Sequence, residues 1–74
     1  MDTLIGKYIY SHIGLDCTQH QVWRVELTRD LIALHTVDEL MTIEPPIYLS
    51  ATELRMLINN KRVNIGQAEY SFTN

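Results

Sequence analysis

A single segment of this chain has helical period, and that segment limits the architectures open to the rest. In PPIYLSATELRMLINN, Ser50 is a good N-cap and Glu53 follows three residues later, the S-x-x-E spacing of a capping box. Leu49 lies just ahead of the cap and Leu54 at the fourth helical position, so a hydrophobic staple is available as well. Ala51, Leu54, Leu57 and Ile58 share one stripe, and Asn59-Asn60 closes a helix of about ten residues. A helix-turn-helix reader needs a second helix after a turn of three or four residues. Here the chain runs instead into KRVNIG and AEYSFT, where Val63 and Ile65 alternate and Ala68, Tyr70 and Phe72 alternate again across Gly66. A lone amphipathic helix among strands is expected to cover a small sheet.

The strands are read from period two. Thr3–Ser11 places Ile5, Lys7 and Ile9 on one face and Leu4, Gly6, Tyr8 and Tyr10 on the other. HIGLDCTQ supplies Gly14 and Asp16 as loop residues. In QVWRVEL, Trp23, Val25 and Leu27 point one way and Arg24 and Glu26 the other. Thr28-Arg29-Asp30 makes a reversal, and LIALHTV is the expected hairpin mate. TVDELMTIE has two readings: Thr36 and Glu39 fit a capping box, while Leu40–Ile43 fit a strand. Pro45-Pro46 ends either one. The expected class is α+β, a small antiparallel sheet of three to five strands covered by one helix, in the approximate order β-β-β-α-β.

Seventy-four residues make one domain, 1–74, with a marginal core. One cysteine leaves no internal disulfide to reinforce it. An apolar fraction of 46% in so small a body leaves apolar groups near the surface, and a two-fold homodimer is the simplest way to cover them. No stretch approaches the length of a membrane span, and the start MDTLIGKYIY lacks the charge and cleavage pattern of a signal peptide. An intracellular, cytoplasmic location is expected.

The net charge of −3 is unevenly spread. Asp30, Asp38, Glu39, Glu44 and Glu53 fall in a run without Lys or Arg, and Arg55, Lys61 and Arg62 follow it. These three cations are candidate phosphate contacts, though nucleic-acid binders show a broader basic face and cations also suit a helix C-terminus. His12, Cys17 and His20 match neither zinc spacing, and Asp16 or His35 would have to complete a site; no metal and no cofactor are expected. Cys17 with His20 lacks an orienting group and oxyanion donors, so no catalytic residue is nominated and an enzyme is not expected. His35 has Asp38 or Glu39 as hydrogen-bond partners instead. Among the aromatics, Trp23 and Phe72 are assigned to the core, while Tyr8, Tyr10 and Met56 are candidates for a contact surface.

The resulting functional expectation is a non-catalytic protein-interaction module, an inhibitor or adaptor acting stoichiometrically. Its contact surface is expected to use Tyr8, Tyr10, Met56 and the acidic Asp38, Glu39 and Glu44. Two alternatives stand beside it. One is a dimeric nucleic-acid-binding regulator using Arg55, Lys61 and Arg62. The other is a small-ligand-binding protein with a pocket between subunits, suited to an anion.

Overall fold

Six antiparallel strands form one sheet that curls into a near-barrel in the computed structural model, which describes residues 2–74. After a short 3-10 turn at Asp2–Leu4 come β1 (Tyr8–Ile13), β2 (Asp16–Leu27), β3 (Ile32–Val37) and β4 (Ile47–Leu49). Helix α1 (Ala51–Ile58) then leads to β5 (Val63–Ile65) and β6 (Ala68–Ser71). The spatial order is β4-β3-β2-β1-β6-β5. Roughly half of the chain is strand, and the expected α+β sheet with a covering helix is not what forms.

The correction has a physical cause in each half of the chain. In α1 only Leu54 and Leu57 are buried, while Ala51, Met56 and Ile58 face solvent. Two side chains cannot cover a sheet. The helix instead joins the edge strands β4 and β5, and Leu54 and Leu57 enter a core shared with Ile9, Val22, Leu34, Leu49 and Val63. Its N-terminus is built as the sequence suggests. Ser50 Oγ accepts from the Glu53 N–H at 3.1 Å, and the Glu53 carboxylate accepts from the Ser50 N–H at 2.8 Å. At the other end the Asn60 N–H donates to Leu57 C=O and the Lys61 N–H to Met56 C=O, with Asn60 in the left-handed region.

The second cause is β2, whose twelve residues pair with β1 along one half and with β3 along the other. HIGLDCTQ is not a loop. Only Gly14 and Leu15 turn, between the Ile13–Asp16 pair, and Gly14 at φ 59° occupies the position where a two-residue hairpin turn favours glycine. Where β2 passes from one partner to the other, the register shifts between Val22 and Arg24. This bulge adds Trp23 as an extra residue and breaks the expected alternation there, while Val25 still packs against the core. Val22 enters the core and Trp23 is 42% exposed, beside the His35 ring at 5.7 Å. The assignment of Trp23 to the core is therefore corrected; Phe72 does pack against it, partly buried.

Strand one also begins later than expected. Thr3–Lys7 is a turn and an approach segment, and β1 starts at Tyr8. Ile9 and Ser11 point inward; Tyr8, Tyr10 and His12 point outward. The tail forms a hairpin around Gly66, and β6 then pairs with β1. That pairing carries the sheet most of the way around, leaving β4 and β5 as edges on either side of a seam.

Candidate functional site

The segment between β3 and β4 is neither of the two structures expected for it. Thr36 is not a helix cap and Leu40–Ile43 is not a strand; the chain makes a tight hairpin instead. The Met41 N–H donates to Asp38 C=O at 2.9 Å, the Asp38 N–H donates to Thr42 C=O at 3.0 Å, and Val37 bridges Ile43. Asp38 Oδ1 accepts from the N–H groups of both Leu40 and Thr42 at 2.9 Å. Met41 sits at φ 64°, the left-handed position that such a three-residue loop normally gives to glycine. The turn is thus tied down from below while its apolar side chains face outward. Leu40 is 85% exposed, Met41 69% and Ile43 68%.

Beside this tip lies a depression of about 460 Å³ lined by Tyr8, Gln19, His20, Gln21, Asp38, Glu39 and Met41. The fold therefore gathers three of the nominated contact residues, Tyr8, Asp38 and Glu39, around one surface, with Tyr10 on the same outward face of β1. Asp38 Oδ1 holds the turn and the residue is half-buried, while Glu39 is exposed beside it. Met56 lies on α1 and does not line this depression.

Glu44 turns toward the sheet and is half-buried. Its N–H donates to Thr36 C=O, and its Oε1 takes hydrogen bonds from His20 Nδ1 at 2.7 Å and Thr36 Oγ1 at 3.1 Å. His20 Nε2 lies 2.8 Å from Ser11 Oγ. With Nδ1–H donating to the carboxylate and Ser11 O–H donating to Nε2, every bond in the chain is satisfied by a neutral ring. The order Ser–His–Glu is that of a nucleophile, base and orienting acid. Ser11, however, lies mid-strand, 7% exposed, with its backbone paired to β2 and β6. It lines neither the depression beside the tip nor the one at the seam. What the chain does here is pin the Glu44-Pro45-Pro46 segment to the inner face of the sheet.

A second depression, also about 460 Å³, opens over this group at the seam. Ile47 and Tyr48 come from one edge strand and Ile65 from the other, with His20, Thr36, Glu44, Pro45, Pro46 and Tyr70 completing it. Burial raises the Tyr70 phenol above its ordinary pKa, and the Glu44 charge pushes in the same direction. No local pattern in the sequence marks this group, because its members are scattered along the chain. The available signal is period two: His20 and Val22 share one face of β2, the inward face that Ile9 and Ser11 share on β1, so polar groups buried there must find partners.

The remaining sequence candidates are dispersed. His12 and Cys17 are directly paired across β1 and β2 on the outward side, while His20 points inward, so neither the metal trio nor a Cys17–His20 pair can assemble. His12 Nε2 donates to Ser71 Oγ, and Cys17 Sγ donates to Asn74 Oδ1. Among the described residues no group of three or more metal-ligating side chains occurs. His35 bonds Glu26 at 3.0 Å rather than Asp38 or Glu39. Arg62 is paired with Glu69 at 3.1 Å, which leaves Arg55 and Lys61 as the exposed cations of that end without an ion pair among the described residues. No helix among the described residues is long and apolar enough to cross a membrane.

Comparisons with protein-family models, with curated proteins and with solved structures find no match to this chain.

Proposed function

We propose that the protein is a non-catalytic, stoichiometric protein-binding module, and that its contact surface is the hairpin tip at residues 38–43 together with Tyr8. The observation that carries this reading is Met41. A left-handed backbone costs an L-residue roughly 1–2 kcal/mol, and such strain tends to collect where a segment binds something. Glycine would relieve it. Methionine at that place has a purpose if its side chain is what the turn exists to display, and Leu40 and Ile43 extend the same apolar patch. A rigid turn loses little entropy on binding, so the displayed groups act at full strength. The complementary partner surface is an apolar groove with a basic rim that faces Glu39.

A two-fold homodimer belongs to the same proposal, because Ile13, Leu15, Leu27 and Ile58 are also exposed, outside the 38–43 turn. The nucleic-acid alternative has less support, since the Arg62–Glu69 pair thins an already small basic group.

The test is affinity capture from lysate of the source cells with the wild-type chain and with Leu40→Ser. The expected result is a defined protein retained at moderate salt by the first and lost by the second, with unchanged circular dichroism. Equal capture by both chains, or loss of capture only for Lys61→Ala, contradicts the proposal.

A further inference from the structure

We propose that the seam depression is a binding site for a small organic amine carried on an apolar or aromatic body. The site lies within a single chain, not between subunits, and its chemistry suits a cation rather than the anion expected from the sequence. Its acid is Glu44, and no Lys or Arg lines it. Glu44 Oε1 is saturated by His20 and Thr36, whereas no donor among the described residues reaches Oε2. A carboxylate fixed through one oxygen and free at the other is a ready acceptor for an ammonium group.

The rest of the lining fits the same ligand. Pro45, Pro46, Ile47 and Ile65 form apolar walls, and the rings of Tyr48 and Tyr70 suit a cation in a partly desolvated place. Tyr70 makes no hydrogen bond through its hydroxyl among the described residues, so its oxygen is open to accept from an ammonium N–H. The volume, about 460 Å³, is that of small-molecule sites, which often occupy the mouths of curled sheets. The Ser11–His20–Glu44 chain then has a second consequence: it presets the carboxylate, so binding costs no reorganisation of the acid.

The experiment is a titration of the isotope-labelled full chain with phenethylamine, followed by amide resonances, beside the neutral 2-phenylethanol. The expected result is saturable shifts at Thr36, Glu44, Ile47, Ile65 and Tyr70 in the millimolar range for the amine. The alcohol should bind roughly tenfold more weakly, the ratio a charge-assisted contact supplies. Glu44→Gln should bring the amine down to the alcohol's affinity. Ile65→Trp, which fills the depression and leaves the hydrogen-bonded chain alone, should abolish both and decides the matter if Glu44→Gln does not fold. Failure of the amine to saturate, equal affinity for amine and alcohol, insensitivity to Ile65→Trp, or shifts centred elsewhere would each overturn the proposal. None of these outcomes bears on the hairpin tip, which lies on the other depression.

Discussion

Replacing Met41 by alanine and, separately, by glycine isolates the backbone strain on which the functional reading rests. Both substitutions remove the same thioether, so the loss of side-chain contacts cancels in their comparison. At an ordinary position glycine is the less stable of the two by roughly 0.5–1 kcal/mol. At φ 64° the order should reverse. The left-handed conformation costs alanine about 1–2 kcal/mol, while glycine forfeits about 0.4–1 kcal/mol through its freer unfolded chain. The difference leaves Met41→Gly more stable than Met41→Ala by about 0.8 kcal/mol, which for a domain of this size is about 3–6 °C in melting temperature. Urea denaturation followed by Trp23 fluorescence measures it, with equal slopes for the two variants confirming that the same transition is compared. Partner affinity should fall to a similar extent in both variants. If Met41→Ala equals or exceeds Met41→Gly in stability, the turn is not strained at this residue and the argument for display fails.

Three further expectations test the framework around the tip. Ser50→Ala removes the acceptor for the Glu53 N–H and should cost about 1 kcal/mol in denaturation midpoint. Tyr70→Phe should change stability little near neutral pH, because the hydroxyl has no hydrogen-bond partner among the described residues. The alkaline limb should separate the two proteins. Tyr70 binds its proton more tightly folded than unfolded, so the wild type loses stability relative to Tyr70→Phe as pH rises from about 10 through the raised folded value, then loses no more. Native mass spectrometry of the purified chain should show a dimer, and a monomer at micromolar concentration would remove the homodimer from the proposal.

The parts of the fold legible in the sequence are those fixed by neighbours in the chain. The Ser50–Glu53 cap and the β2–β3 hairpin depend on residues a few positions apart, and both form as read. The misreadings arise where long-range pairing overrides a local pattern. Trp23 alternates correctly with Val25, yet one inserted residue in the bulge sends it outward, and no propensity marks the insertion. The run Asp16–Gln19 looks like loop because it is polar, but it is one half of a long strand with an exposed face. The hairpin at 38–42 is hidden because methionine stands where glycine would announce it. Glu44 belongs to the acidic run from Asp30 to Glu53, but its role depends on His20, twenty-four positions earlier, and Thr36, eight earlier. Such spacings follow from the pairing of β2 with β3 and the return of the chain after β3, which the chain does not state locally.

The most direct test of the central claim is a photo-crosslinking amino acid placed at position 40, compared with the same group at position 15, in cells that make the protein. Leu40 and Leu15 are both highly exposed leucines on hairpin tips, at 85% and 105%. They differ in place: the 38–43 turn adjoins Gln21, whereas Leu15 lies at the far end of β2, about 20 Å along the strand. The account predicts a discrete adduct with one other protein from position 40 and none of that mass from position 15. Adducts from both positions, or from position 15 alone, would show that the 38–43 turn is not the contact surface.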